Sequence, residues 1–406
     1  MPLKPVIGLV VPALAGGGGV PSVARFLAEQ IMRTDRYQLE IISLPTSARD
    51  GCSLRLLAPS TWFRNPRIAM GEWEGRAYTH VGAFAVELEF QRYRPRHILE
   101  KALARCDLIQ VVAGSPAIAL AVGKCRQPIV LQVATRSAVE RAQQLSTGAL
   151  PLRWWRRVMT RITDRLDDVA LRRPDTIIVE NDWMCAYAKR IAGANSTVLK
   201  AVPGVNCSQF FPIADRAASW PNEPYILFVG RLSDPRKNVV LLCRAYVRLC
   251  ARMETAPRLV IAGQGDLPDA AVREIQSLRL PESVTIVRSP ETQQLIELYQ
   301  GAACLAVPST EEGFGIVVIE AMASGIPVIS TRCGGPEEII SHGQNGYLVA
   351  PGDPDDLAKH LAMLCDDVAL NVGFGHCARA TAKARYSDQM AVGPFLHTYD
   401  RLLRRA

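Results

Sequence analysis

Residues 308–335 join a glycine-containing loop, a helix and a strand in a short stretch of chain. The apolar run 303–307 before it is typical of a buried strand, and the spacing of apolar residues changes to a helical period after Gly315. Gly325 ends that helix before the strand 328–331. Because strands and helices alternate in this way along most of the chain, the sequence predicts parallel, doubly wound α/β sheets.

The loop before this helix suits an anionic ligand that also carries hydroxyl groups. The first turn of a helix has backbone N–H groups without partners and a partial positive charge, which together favour a phosphate. Gly313 and Gly315 would let such a ligand approach the backbone closely. Glu312 in the loop and Glu320 in the helix would bind the vicinal hydroxyls of a sugar. The alternative is a helix whose acidic first turn only complements its dipole.

In residue types and order, this segment resembles the C-terminal signature of retaining glycosyltransferases with the GT-B fold, glycosyltransferase family four. The resemblance implies two Rossmann-like domains with parallel sheets facing across a cleft. It implies that Glu312 contacts the donor sugar and that Glu320 holds the ribose of the nucleotide. The implied donor-binding residues are Gly230, Arg231, Lys237, Glu312, Gly313, Phe314, Gly315, Ile316 and Glu320.

A polar turn at residues 230–238 follows the predicted strand 225–229 and precedes a predicted helix at 239–251. Arg231 at the strand end and Lys237 at the helix start could together neutralise a diphosphate, although two surface cations in a turn are the alternative. The resemblance implies that these two cations carry the donor diphosphate. Arg231, Lys237 and Glu312 are therefore the predicted catalytic residues.

The N-terminal glycine loop, formed by Gly16, Gly17, Gly18 and Gly19, connects a predicted strand to a helix. Such a loop can expose backbone amides to a phosphate. The third small position of a dinucleotide fingerprint falls on Pro21 or Ser22, so the pattern is incomplete and an NAD-dependent enzyme is the less favoured alternative. The resemblance implies a flexible loop beside the donor phosphate and the acceptor, and a simple tight turn is the other interpretation.

Two further sequence features bear on the acceptor. Many members of the family carry a histidine after the strand at 128–133, where this chain has Thr135 and Arg136. These two are the predicted contacts to the sugar or acceptor, with an ordinary turn as the alternative. Arg153–Arg173 has apolar residues at helical spacing and a net charge of 7 − 3 = +4. It is either a helix that touches an anionic membrane surface or one that packs on the sheet.

Length and composition favour two domains and anionic ligands. The 406 residues exceed one ordinary domain, and the boundaries predicted are 1–211, completed by a C-terminal helix at about 389–406, and 212–388. The formal net charge of +8 suits nucleotide diphosphates or phospholipid surfaces, and no nucleic-acid partner is expected. The 11 cysteines lack a metal-binding spacing and favour a reduced, cytoplasmic setting. Asp353, Asp355 and Asp356 look like a metal motif but are predicted to cap a helix.

The resulting prediction is a metal-independent, retaining hexosyltransferase without a cofactor. It would move a sugar from a nucleotide diphosphate sugar, with UDP favoured and GDP-mannose second, to a hydroxyl of a glycan, a lipid-linked sugar or a small molecule. A nucleotide-sugar epimerase or hydrolase of the same fold is the alternative. The predicted location is cytoplasmic. If the basic helix is the kind that touches a membrane, the contact is peripheral, at the inner membrane face.

Overall fold

A computed structural model describes residues 4–12, 14, 18–145, 150–213, 224–278 and 280–404. The chain divides into two compact units, one made of Met1–Pro203 and Val392–Ala406 and the other of Gly204–Ala391. Each unit has a sheet of mainly parallel strands covered by helices, which is the predicted Rossmann-like architecture. None of the helices in the described part of the chain is both long and apolar enough to cross a membrane.

The first unit is built on a sheet with the strand order β3-β4-β2-β1-β5-β6-β7-β8. All described neighbours are parallel except β3 and β4, which pair antiparallel as a hairpin. The predicted parallel sheet is confirmed, and the exception at this edge arises because a two-residue turn at Glu74 and Gly75, both with positive φ, reverses the chain. The strands are β1 (Val6–Pro12), β2 (Gln38–Leu44), β3 (Ile68–Trp73), β4 (Arg76–Val81), β5 (Leu108–Ala113), β6 (Ile129–Val133), β7 (Thr176–Val179) and β8 (Thr197–Lys200).

Helices cover this sheet, and one face packs on a continuous apolar core that includes Leu99, Ile109, Leu131 and Ile177. Because both faces of the central strands are buried, these strands are apolar along their length instead of alternating. The helices are α1 (Gly19–Arg33), α2 (Glu89–Arg92), α3 (His97–Ala102), α4 (Ser137–Arg141), α5 (Leu150–Ala170) and α6 (Asp182–Ile191).

The second unit is a parallel sheet in the order β11-β10-β9-β12-β13-β14. Its core lies between the sheet and its helices and includes Phe228, Leu242, Tyr246, Leu259 and Leu361. The strands are β9 (Tyr225–Val229), β10 (Arg258–Gly263), β11 (Val284–Arg288), β12 (Ala302–Val307), β13 (Val328–Thr331) and β14 (Gly346–Val349). The helices are α7 (Val239–Arg252), α8 (Asp269–Gln276), α9 (Thr292–Gly301), α10 (Ile316–Ala323), α11 (Gly335–Ile339), α12 (Pro354–Asp366), α13 (Val368–Thr381) and α14 (Asp388–Ala391).

The chain enters the second unit at Gly204, before the boundary predicted at 211/212. Val205 donates its N–H to the Tyr386 carbonyl at 2.8 Å, and Arg379 donates to the carbonyls of Cys207 and Phe210 at 2.9 and 2.7 Å. These bonds join the connecting segment to the second unit. Most of the predicted linker at 213–224 lies outside the described residues.

The last helix, α15 (Gly393–Leu403), belongs to the first unit. The Tyr399 hydroxyl donates to Gln110 of β5 at 2.9 Å, and Arg401 donates to Thr176 of β7 at 2.7 Å. The ring of Phe395 meets that of Phe26 edge-on at 6.0 Å. The chain therefore returns to the sheet on which it began.

Helix α5 forms over the predicted basic segment, but its buried face differs from the apolar stripe in the sequence. Met159, Thr163 and Asp167 are buried, while Trp154 and Val169 are exposed. Asp167 is inside because its carboxylate accepts backbone N–H bonds from Ala117 and Ser137, at 2.9 and 2.8 Å, where two helices begin. Burial raises the pKa of this carboxyl to about 7.

The acidic turn at the start of α12 is a helix cap, as predicted. The Asp353 carboxylate accepts the backbone N–H groups of Asp355 and Asp356, at 2.9 and 3.0 Å. Asp355 pairs with Arg248 and Arg252, at 3.0 and 2.8 Å. The Asp356 carboxylate accepts the Ala350 N–H at 3.0 Å, so all three carboxylates have protein partners.

Candidate active site

The turn after β9 gathers two arginines on one carboxylate. Arg231 and Arg236 both bind Asp234, at 2.6 and 2.9 Å, and Arg236 also pairs with Glu311 at 3.1 Å. Burial works to raise the pKa of Asp234, but the two guanidinium groups outweigh it, and the pKa lies below its usual value. Arg236 is largely buried, whereas nearly half of the Arg231 side chain is exposed. Arg231 is thus the guanidinium of this turn that is open to an incoming anion.

Lys237 and Glu312, two of the predicted catalytic residues, are in direct contact. The Lys237 ammonium lies 2.5 Å from Glu312 Oε1, and the Ser309 hydroxyl donates to the same oxygen at 2.8 Å. Lys237 ends a short 3₁₀ turn, Pro235–Lys237, and Asn238, in the left-handed conformation, is the N-cap of α7. The backbone therefore directs the ammonium towards the end of β12.

Backbone bonds tie together the loops that follow β9, β12 and β13. Thr310 donates its N–H to the Arg236 carbonyl at 2.8 Å, and Glu312 donates to the Cys333 carbonyl at 2.8 Å. Gly335 donates back to the Glu312 carbonyl at 2.9 Å. Since the carboxyl ends of parallel strands are where α/β sheets bind ligands, the fixed positions of these loops favour a preformed site.

The backbone around the start of α10 needs glycine at two positions, Gly315 before the helix and Gly335 at the start of α11. Gly315 is the N-cap and has φ 99°, a conformation that side chains rarely adopt. A Cβ on Gly335 would lie 2.3 Å from the Phe314 carbonyl oxygen, so only glycine fits there. The Phe314 side chain is buried and packs on Tyr386 with ring centroids 5.9 Å apart. Because this side chain is buried, we expect the backbone of Phe314 to make its predicted contact with the donor.

Glu320 lies on α10 and is held by a buried tyrosine. The Tyr299 hydroxyl donates to Glu320 Oε2 at 2.8 Å. Burial, followed by the charge of Glu320, raises the pKa of Tyr299 well above its usual value, so the hydroxyl keeps its proton. The ring of Phe210 meets that of Tyr299 edge-on at 5.9 Å. The orientation of this predicted ribose ligand is therefore fixed from inside the unit.

The remaining predicted residues of the second unit lie in the same turns. Gly230 follows β9 and donates its N–H to the Ala262 carbonyl at 3.0 Å. Gly313 lies in the loop between Glu312 and α10, and Ile316 is the first residue of that helix. Arg231, Lys237, Glu312 and the start of α10 thus belong to adjoining loops, and their donor-binding and catalytic roles stay predictions.

The predicted residues of the first unit are less open to a ligand. The Arg136 guanidinium pairs with Asp164 at 2.7 Å and lies over the Tyr187 ring at 4.2 Å. Thr135 is buried, and its hydroxyl oxygen finds no protein partner among the described residues. Gly18 and Gly19 lie at the start of α1, while Gly16 and Gly17 lie outside the described residues. The roles proposed for all of these residues stay predictions.

Sequence reasoning missed the residues that orient the site. Asp234 holds both arginines, Ser309 binds Glu312, and Tyr299 binds Glu320. Ser309 and Asp234 lie in the turns already singled out, but Tyr299 is distant in sequence and gives no local signal. Cys333 also adjoins the site, and burial and the charge of Glu312 raise the pKa of its thiol to about 12, which favours the protonated form.

The sequence matches known glycosyltransferases. Residues 213–381 match the sequence model of the family "Glycosyl transferases group 1". A D-inositol 3-phosphate glycosyltransferase of Catenulispora acidiphila is 33% identical over 241 residues, which are 54% of this chain and 56% of that protein. An uncharacterized glycosyltransferase of Methanocaldococcus jannaschii is 39% identical over 166 residues, 41% of this chain and 42% of that protein. The chain thus spans about half the length of the curated relatives it matches.

Solved structures support the fold over nearly the whole chain. Sucrose-phosphate synthase of Thermosynechococcus elongatus has a TM-score of 0.73 and 19% identity, covering 99% of this chain and all of that one. Anabaena HepE in complex with UDP and glucose has a TM-score of 0.70 and 17% identity, covering 98% of this chain and all of that one. The predicted GT-B class of fold is confirmed. The match to the model of the glycosyl transferases group 1 family lies within the second unit, from residue 213 to residue 381.

Proposed function

We propose that the protein transfers a glycosyl group from a nucleotide diphosphate sugar to an acceptor hydroxyl, with retention at the anomeric carbon. The observation that carries the proposal is the 2.5 Å contact between the Lys237 ammonium and the carboxylate of Glu312, which lies in the loop that leads into α10. It joins a cation suited to a leaving diphosphate with a carboxylate suited to sugar hydroxyls. Glu320, held by Tyr299, is the proposed ribose ligand.

The difficult step is departure of the diphosphate from an oxocarbenium-like centre. Arg231, Lys237 and the N–H groups at the start of α10 would stabilise the charge that develops on the leaving oxygen. Glu312 would orient the donor sugar once its hydroxyls displace Lys237. The leaving phosphate itself would take the proton of the acceptor. In this proposal the cations neutralise the diphosphate, so neither a metal nor a cofactor is needed.

A UDP-sugar is the favoured donor, and GDP-mannose is the second. Support comes from HepE, whose structures contain UDP, UDP with glucose, and UDP-glucose. The acceptor is a hydroxyl of a glycan, a lipid-linked sugar or a small molecule. The proposed location is the cytoplasm, with peripheral contact at the inner membrane face. Exposure of Trp154 (65%) and Trp155 among the arginines of α5 supports contact with a lipid surface.

A thermal-shift panel with UDP, GDP, ADP, dTDP and NAD tests the donor site. A ligand at about 100 times its dissociation constant adds roughly 2.7 kcal/mol of stability, which shifts the melting temperature visibly. We expect one nucleoside diphosphate to stabilise the protein and Glu320→Ala to lose that shift. A shift with NAD alone, or one that ignores Glu320, would refute the assignment.

Turnover distinguishes a transferase from an epimerase or hydrolase of the same fold. The donor identified by the panel is incubated with and without a mixture of acceptors, and the release of nucleoside diphosphate is followed. A transferase releases it rapidly only when an acceptor is present. Rapid consumption of the donor without any acceptor would contradict the proposal.

A further inference from the structure

The loop between β2 and β3 presents large apolar side chains to solvent. Phe63 is 100% exposed and Leu57 is 82% exposed, and Met70 on the edge strand β3 is 71% exposed. Trp62, Leu56 and Ile68 add to the same stretch. So many exposed large apolar residues within one short stretch of chain are unusual on a soluble surface and indicate an interaction site.

Hydrogen bonds hold this loop, residues 54–67, in a defined shape. At its base, Leu54 donates its N–H to the Ala83 carbonyl at 2.9 Å, and Arg67 donates to the Cys52 carbonyl at 2.8 Å. Nearer the tip, the N–H groups of Leu56 and Leu57 bind the Glu87 carboxylate at 3.0 and 3.1 Å. The backbone is therefore satisfied from inside the unit while the apolar side chains point outwards.

The tip itself is closed by a second set of bonds. The Thr61 hydroxyl donates to the Ala58 carbonyl at 2.8 Å and accepts the Arg55 N–H at 2.9 Å. The Trp62 indole donates to the Leu56 carbonyl at 3.0 Å. A rigid tip loses little conformational entropy on binding, which favours insertion into a partner.

The exposed charged side chains of the loop are positive, while the Glu87 carboxylate is largely buried against the Leu56 and Leu57 N–H groups and lies 4.0 Å from Arg55. Residues 55–70 contain three arginines and no acidic residue, and Arg64 and Arg67 are exposed. Arginines that flank exposed aromatic and aliphatic side chains are complementary to anionic lipid headgroups over an acyl layer. A symmetric contact with a second copy would bring these arginines against each other, which disfavours that occupant.

We propose that loop 54–67, together with Ile68 and Met70 of β3, inserts into the surface of an anionic phospholipid bilayer. The loop follows β2, so it lies at the carboxyl edge of the first unit's sheet, the edge at which α/β sheets bind ligands. Membrane contact here would bring a membrane-borne acceptor to that edge. The inference is independent of the donor site, and it concerns different residues from the tryptophans of α5.

Co-sedimentation with vesicles tests this inference on the full chain. The probes are phosphatidylcholine vesicles with and without phosphatidylglycerol, at low and high salt. We expect binding only to the anionic vesicles and weaker binding at high salt. The variant Leu57→Ser/Phe63→Ser should lower the partition constant by at least about tenfold. Arg64→Gln should lower it roughly fivefold.

Controls separate the possible outcomes. Leu280→Ser removes an apolar side chain of the second unit that is also exposed and should leave vesicle binding unchanged. The variant Trp154→Ser/Trp155→Ser measures separately how much the exposed tryptophans of α5 contribute to vesicle binding. The inference is overturned if wild type does not bind anionic vesicles, or if Leu57→Ser/Phe63→Ser binds them as wild type does. A dimer detected by light scattering and abolished by the same variant, without vesicle binding, would instead assign the loop to a second copy.

The thermal-shift panel with nucleotides shows whether a variant that loses vesicle binding still binds its nucleotide. The membrane inference and the donor assignment can therefore fail separately. Because Leu57 and Phe63 are exposed, the variant should fold and keep its thermal shift with the nucleoside diphosphate. Loss of vesicle binding with an intact nucleotide shift supports the membrane inference. Loss of both in this variant would show misfolding, and Arg64→Gln, which removes only an exposed charge, then decides the question.

Discussion

Tyr299→Phe removes one oxygen from the second unit and tests how Glu320 is oriented. The Tyr299 hydroxyl is buried and donates to Glu320 Oε2 at 2.8 Å. A hydrogen bond to a charged group contributes about 1.5–3 kcal/mol, equivalent to roughly a 10- to 150-fold change in an equilibrium constant. Because Glu320 lies on a helix that also limits its movement, we expect an effect at the lower end of this range.

The assay compares two ligands by calorimetry: the nucleoside diphosphate that stabilises the protein best, and its 2′-deoxy counterpart. Wild type should prefer the ribose form, because the Glu320 carboxylate accepts hydrogen bonds from the hydroxyls. In Tyr299→Phe the ratio of the two dissociation constants should fall about tenfold, mainly through weaker binding of the ribose form. Binding of the deoxy form should change little.

Tyr246→Phe is the matched control for this experiment. Tyr246 is also buried in the second unit, but its hydroxyl donates to the Pro257 backbone carbonyl, at 2.9 Å. It should lower stability without changing the preference for ribose. If Tyr299→Phe also lowers stability and leaves the ribose preference unchanged, then Tyr299 only supports packing and the reasoning is refuted.

Three other substitutions test separate parts of the structure. Lys237→Ala should lower kcat/KM by roughly 100- to 1,000-fold, as loss of an oxyanion donor does, and near-normal turnover would remove Lys237 from the mechanism. Arg136→Gln should lower the free energy of unfolding by about 1 kcal/mol, because it removes the contacts of Arg136 with Asp164 and Tyr187. A raised KM for the donor at unchanged stability would instead support a contact between Arg136 and the sugar. Burial raises the pKa of Glu180 to about 7, so the folded state retains a proton that the unfolded chain releases above pH ~4.3. Stability should therefore fall as pH rises towards 7, and urea titrations of Glu180→Gln should show a smaller fall; an identical pH dependence would contradict this.

The second unit follows closely from its sequence because its signals are local. The helix after Gly315 and the strand Val328–Thr331 form where the apolar spacing and the glycines indicate. Lys237 and Glu312 lie far apart in sequence, but each follows a strand of the same parallel sheet. Since such strands end at one edge, the contact between them is a consequence of the topology.

The first unit is harder to predict because long-range partners decide which residues are buried. In α5 the apolar spacing indicates a stripe through Trp154 and Val169, yet the structure buries Asp167 and exposes both of these. Asp167 is inside because it caps two other helices, which no pattern within α5 reveals. The loop 54–67 is similar, since its shape depends on Glu87 and Ala83 from the other side of the β3–β4 hairpin.

The balance of charge in the candidate site has a consequence for ligand binding. Three cations, Arg231, Arg236 and Lys237, adjoin three carboxylates, those of Asp234, Glu311 and Glu312, so the cluster has no net charge. A bare diphosphate would therefore meet carboxylates as well as cations. A sugar nucleotide resolves this conflict, because its hydroxyls can donate to Glu312 while its phosphates accept from Lys237. When the donor binds, Lys237 and Glu312 thus each replace the other with a group of the ligand. On the proposed function, the Lys237–Glu312 contact thus holds both groups in position, and it favours the complete donor over the nucleotide alone.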